Sequence, residues 1–283
     1  MIERKQISRA WSFLKTTAQT FYQENGFFLA MGLAFNLLLY FIPLGLLLIS
    51  LLGYTFLDSE RAMSGVDSML RQFLPRSEQV FADNLKEIIS HRGLLGLVGF
   101  FFFLIFSSTL FGSVRHVLNI VFRAQKRRSF IRGLFRDFLI MLITAILLML
   151  SIGAGILLAL VRTLGIERLS IDEPMLEFVL GVTGKLITLG LLASLFYVFY
   201  GYAPARALSR RALLVASLGA TILFELARWA FAWYVSFAHE TLALYGVLGG
   251  LMFFFFWLYY ASLVFVLGAA VGFAYEQSRL AKV

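Results

Sequence analysis

The chain has 283 residues, 60% of them hydrophobic and 14% charged, with a formal net charge of +9 and a mean hydropathy of +0.84. A soluble domain is roughly half apolar and a quarter charged, so water is excluded as the main solvent. The absence of cysteine excludes disulfides, thiolate nucleophiles and cysteine-held metals.

The first 26 residues carry Arg4, Lys5, Arg9 and Lys15. The apolar run that follows is too long for a signal peptide and lacks a small-x-small cleavage site, so it reads as a retained first membrane helix. Crossing about 30 Å of hydrocarbon takes about 20 apolar residues, and six runs meet that length: 27–54, 94–114, 138–161, 176–201, 212–237 and 244–275. They are continuously apolar rather than alternating, which predicts helices and not a barrel. The expected fold is an all-α polytopic membrane protein, a single membrane domain over 1–283.

Between the first two runs, residues 55–93 are patterned. Val66, Met69, Leu70, Phe73 and Leu74 recur at helical spacing, and Pro75 breaks the run. Ser77 offers an N-cap to a second stripe of Val80, Phe81, Leu85, Ile88 and Ile89. The pattern predicts a two-helix extracytoplasmic cap, with a lid or a helix lying in the outer leaflet as the sharper alternative.

Cationic residues orient the chain. Four lie in 1–26, seven in 115–137 (Arg115, Arg123, Lys126, Arg127, Arg128, Arg132 and Arg136), three in 202–211 and two in the tail. The opposite loops hold seven in all, outweighed in 55–93 by six acids. Sixteen cations against seven place both termini and the 115–137 loop in the cytoplasm. The basic loop 115–137 is expected to face anionic lipid headgroups rather than nucleic acid. Homo-oligomerisation stays open.

Ionisable groups at membrane depth default to functional candidates. Lys185, Glu225 and Arg228 qualify: at 1.5 Å per residue, Lys185 and Arg228 sit roughly 13 Å below the same surface. Glu225 and Arg228, three residues apart, share a helix face, so the three side chains can form one buried cluster with one net positive charge. That cluster is either a site for an anionic group or a set of ion pairs locking two helices together. Asn36 and Ser108 are weaker substrate-binding candidates, flanked by Ser107 and Thr109 in the second run. Pro43, inside the first run, removes a backbone hydrogen bond and is a hinge candidate. Gly246 and Gly249 are hinge or packing positions, and Gly268 and Gly272 have the spacing of a close helix crossing.

Enzyme signatures are missing. His91, His116 and His239 stand singly, so no metal-binding pair is expected. Gly181-Val-Thr-Gly184-Lys185 lacks the spacing and hydroxyl residue of a phosphate loop, and there is no Gly-x-Ser-x-Gly elbow. Neither a cofactor nor a catalytic activity is expected.

Several stretches resemble the BrkB/YihY family of bacterial inner-membrane proteins, once mislabelled as ribonuclease BN. Ala34-Phe-Asn-Leu-Leu-Leu-Tyr-Phe-Ile-Pro43-Leu is similar to the family's first helix. Ser107, Ser108, Arg115, Leu118 and Asn119 resemble the end of its second. Phe224-Glu225-Leu-Ala-Arg228 through Tyr234 resembles its fifth. Tyr245-Gly246-Val-Leu248-Gly249, Trp257-Leu258-Tyr259 and Gly268-Ala269 are close to its sixth. Two positions depart: Asn36 replaces a tyrosine, and Ala270 replaces the glutamate of the family's Gly-Ala-Glu, which removes any role needing a carboxylate there. The resemblance implies six membrane helices, cytoplasmic termini and a role in transport across the inner membrane. The expected function is therefore a transporter or flippase-like protein for an anionic lipid-linked precursor or small solute. The alternative is a non-transporting scaffold or envelope assembly factor in which the charges are structural.

Overall fold

The computed structural model describes residues 2–56, 92–124, 130–169, 173–243 and 246–280, and every regular element within them is a helix. In chain order these are α1 (Ile2–Gln23), α2 (Gly26–Phe56), α3 (Arg92–Val121), α4 (Phe130–Leu169), α5 (Glu173–Tyr202), α6 (Arg210–Ala243) and α7 (Gly246–Leu280). Each of α2 to α7 is long and apolar enough to cross a membrane, over Gly26–Leu48, Gly96–Val121, Phe138–Thr163, Pro174–Tyr202, Arg210–Phe237 and Leu248–Leu280. The six-span, all-α expectation holds. The two cap helices expected within 55–93 fall outside the described residues.

The structure adds α1, which a search for long uncharged runs passes over because its apolar residues are interrupted by Arg4, Lys5, Arg9 and Lys15. The helices also outrun the apolar segments that announce them. The 40 residues of α4 extend about 60 Å at 1.5 Å per residue, twice the thickness of the hydrocarbon layer.

Contacts divide the chain into two compact units, Met1–Ala34 with Phe111–Val283, and Phe35–Leu110. In the first, α6 and α7 form the most extensive interface. A Cβ added at Gly268 would stand 2.5 Å from the Ala220 Cβ, and one at Gly272 2.6 Å from the Ala216 Cβ. Small residues four apart on both helices thus let the backbones approach closely. An aromatic layer lies beside this crossing: Phe196 and Phe265 flank Tyr200, whose buried hydroxyl donates to the Phe265 carbonyl at 2.8 Å. A phenol at that depth needs such a partner.

The turns at one end of this unit are tied to each other. Arg123 Nε donates to Glu24 at 2.7 Å and its Nη2 to Gln23 at 3.1 Å. Asn119 Oδ1 accepts from the Ala205 backbone N–H at 2.7 Å, and Arg206 donates to the Phe122 carbonyl at 3.1 Å. Ser209 donates to Glu276 at 2.5 Å. The α1–α2 turn, the end of α3, the α5–α6 turn and the end of α7 are therefore on one side, as the cationic count requires of them. At the α4–α5 turn, Arg162 pairs with Glu177.

The second unit joins the later part of α2 to the first part of α3. Gly96 approaches Ser50 so closely that a Cβ would lie 2.5 Å from its hydroxyl, and Gly99 leaves 3.3 Å to the Leu46 Cβ. Tyr40 and Phe103 rings sit 5.4 Å apart, and Pro43 is fully buried.

Candidate functional site

The α5–α6 pair carries the candidate site. Both helices form because their sequences are long and predominantly apolar, and a helix satisfies every backbone group internally. α6 turns Phe224 and Phe231 onto Trp257 of α7, with ring centroids 5.4 and 5.0 Å apart. Glu225, one residue or about 100° further round, is turned off that contact. Between α5 and α6 lies a groove of about 450 Å³, lined by Leu186, Gly190 and Ala193 on one wall and Thr221, Ile222 and Glu225 on the other. The groove exists because α5 places small residues there: a Cβ at Gly190 would meet nothing within 4 Å. Thr221 spends its hydroxyl on the Ser217 carbonyl at 2.8 Å, so Glu225 supplies the charge on the lining.

The Glu225 carboxylate accepts from Arg228 Nη2 at 2.5 Å, with side chains 28% and 58% exposed respectively. The expected buried trio is corrected here in two ways. Lys185 is exposed and has no hydrogen bond or ion pair among the described residues, and the Glu225–Arg228 pair is not enclosed. The physical reason is reach. Arg228 is one turn from Glu225 on the same helix and closes the pair locally, whereas Lys185 projects from an exposed arc of α5 shared with Phe178, Val182 and Leu186. An ion pair within one helix locks no second helix to it. Among the described residues of this unit, side-chain ties between elements include Arg123–Glu24, Arg162–Glu177 and Ser209–Glu276 at its ends and Tyr200–Phe265 between α5 and α7.

Asn36 and Ser108 belong to the other compact unit. Asn36 is half-buried and already engaged, Ser108 is exposed, and its neighbour Ser107 is buried with a hydroxyl that has no partner among the described residues. Gly246 opens α7 and Gly249 is buried one turn on. Among the described residues no three His, Asp or Glu side chains gather as metal ligands would.

Sequence reasoning missed the role of Arg123. It was counted among the lipid-facing cations of 115–137, yet it is committed to protein contacts. Its side chain holds Glu24 and Gln23, and its guanidinium lies 5.7 Å from the Phe273 ring centroid, with Arg206 at 5.5 Å. Both distances are within cation–π range. Arg123 also has φ of 51°. The Ala124 N–H reaches the Asn119 carbonyl and the Arg123 N–H the Ile120 carbonyl, each at 2.9 Å, the paired closure that ends a helix with a left-handed residue. No spacing signal in the sequence marks an arginine for that place.

A family model described as virulence factor BrkB matches residues 17–283. The chain belongs to that family. Curated relatives bear the name UPF0761 membrane protein. One from Aliivibrio salmonicida is 25% identical over 93% of this chain and 82% of its own length. One from Aliivibrio fischeri is 25% identical over 92% and 82%, and one from Vibrio vulnificus 26% identical over 84% and 74%. No solved structure matches. The resemblance carried by the Pro43, Glu225, Gly249 and Gly268 stretches is thus a family relationship over nearly the whole BrkB-type chain. At the departure in α7, Ala270 is fully buried against its neighbours.

Proposed function

We propose that this BrkB-family protein is a bacterial inner-membrane transporter or flippase-like protein, with both termini cytoplasmic, that moves an anionic lipid-linked precursor or small solute. Glu225 and Arg228 are its substrate-contacting charges. One observation carries the reading: the Glu225–Arg228 ion pair lies within an apolar span, unenclosed, with Glu225 on the wall of a groove. From the ends of their spans, Lys185 is roughly 16 Å deep and Glu225 roughly 18 Å. Charges at such depth are costly unless water or a polar ligand solvates them, and a passage supplies both. Arg228, the more exposed member of the pair, offers its guanidinium to an anionic group. The convergence of the basic turns on one side, together with the cationic asymmetry, supports the orientation. The same fold with purely structural charges would be a scaffold, and the two readings separate in function.

Reconstitution in proteoliposomes tests it, with dithionite-quenchable fluorescent phosphatidylglycerol as lipid probe and radiolabelled solutes chosen from pools that change when the gene is deleted. Glu225→Gln is expected to abolish movement while the protein stays folded. Full transport by a folded Glu225→Gln variant overturns the reading.

A further inference from the structure

α1 is not among the six spans, yet it exposes an apolar stripe. Thr17, Thr20 and Phe21 are buried, and α1 packs on α7. The buried face thus carries two threonines, with Thr17 bonded to the Phe13 carbonyl at 3.0 Å. The outward face carries Trp11, Leu14, Ala18 and Tyr22, with Trp11 71% and Tyr22 67% exposed. At 3.6 residues per turn these four fall within an arc of roughly 80°. Ser12, Gln19 and Gln23, also exposed, occupy the neighbouring arc. An exposed apolar stripe flanked by a polar arc is the pattern of a helix at an interface.

Its end is fixed relative to the first span. α1 joins the first span through Glu24 and Asn25 alone, and Asn25 takes the left-handed φ of 52° that the turn needs. Phe21, Tyr22 and Phe27 form a triangle of edge-on rings with centroids 5.0 to 6.0 Å apart. Gly26 belongs to the same corner, where any Cβ would overlap the Phe21 ring. The end of α1 is therefore held where the apolar span begins. The charge matches this location: Arg4, Lys5, Arg9 and Lys15 stand against Glu3 alone over the first 15 residues.

We propose that α1 lies in the headgroup layer of the membrane, with the Trp11–Leu14–Ala18–Tyr22 stripe against the upper acyl chains, the exposed Lys15 beside it and the net positive charge of this segment matched to anionic lipid. Tryptophan and tyrosine favour that layer, and a basic helix with a large aromatic face binds it by apolar burial and charge together. The stripe is a lipid-contact surface and not a docking face for a second copy.

The chain has no native cysteine, so single-cysteine variants of the full-length protein report on α1 directly. Nitroxide labels at Leu14→Cys and Tyr22→Cys, and at Ser12→Cys and Gln19→Cys, are compared in nanodiscs of phosphatidylcholine and phosphatidylglycerol. Leu14→Cys and Tyr22→Cys are expected to favour oxygen over the water-soluble nickel relaxant at least threefold more than Ser12→Cys and Gln19→Cys. That contrast is expected to fall at least twofold in discs of phosphatidylcholine alone. Equal nickel access on the two arcs overturns the proposal, as does spin–spin coupling between copies at Leu14→Cys. An unchanged contrast in uncharged discs overturns the anionic-lipid assignment.

Discussion

Gly268 of α7 lies directly against Ala220 of α6, so close that a methyl group in place of its hydrogen would stand 2.5 Å from the Ala220 Cβ and equally near the Tyr200 hydroxyl. Neither neighbour is a flexible tip: Ala220 and Tyr200 are fully buried. Gly268→Leu must therefore push the helices apart, and overpacking of this kind costs about 1–3 kcal/mol or more. The expected result is a lower thermal unfolding midpoint in detergent, with Gly268→Ala between wild type and Gly268→Leu. Gly250, whose Cβ would meet nothing, is the control position. A Gly268→Leu protein as stable as Gly250→Leu would contradict the close crossing.

Arg123 separates side-chain from backbone contributions. Its left-handed φ costs an ordinary residue about 1–2 kcal/mol and glycine almost nothing, while its guanidinium contacts favour the native residue. Both Arg123→Gly and Arg123→Ala lose Glu24, Gln23 and the Phe273 ring, but only Arg123→Ala keeps the strain. The glycine variant is expected to be the more stable of the two by about 1 kcal/mol, measured by the unfolding midpoint. The reverse order would mean that the turn does not hold φ near 51°.

Hydropathy made the six spans legible because lipid demands the same thing of every crossing segment, and the positions of Gly268 and Gly272 were legible because close crossings need small residues. α1 was hidden. Its apolar stripe is interrupted in sequence by cations, and which face is buried depends on α7. The Glu225–Arg228 half of the site could be read from its three-residue spacing. The exclusion of Lys185 could not, since the rotation of α5 against α6 is set by packing, with Gly184 turned toward Leu158 of α4. Arg123 was misassigned for a similar reason: a cation in a basic loop looks the same in sequence whether it meets lipid or Glu24.

Asn119 tests the tie between the α3 and α5–α6 turns. Its side-chain oxygen holds the Ala205 N–H at 2.7 Å, and that residue follows the buried Pro204. Asn119→Ala removes this hydrogen bond, a loss of about 0.5–1.5 kcal/mol. Asn119→Asp retains an acceptor and is expected to recover most of the stability. Equal destabilisation by the two substitutions would show that the amide oxygen is not the working atom.

The groove itself can be filled without touching a charge. Gly190 faces open space in the wall opposite Glu225, so Gly190→Leu adds a side chain into the groove with no backbone obstacle. It also replaces the poorest non-proline helix former with one of the best, a gain of about 0.8–1 kcal/mol in a helix interior. The variant is thus expected to be at least as stable as wild type, which separates it from Gly268→Leu. If the groove is the path beside Glu225, movement of the transported probe in proteoliposomes falls at least tenfold in Gly190→Leu. Gly250→Leu, also at an open position but on α7, keeps its rate. A Gly190→Leu protein that is stable and transports at the wild-type rate places the path elsewhere, whatever Glu225→Gln does. Loss in Glu225→Gln with no loss in Gly190→Leu would assign the carboxylate a role apart from this groove.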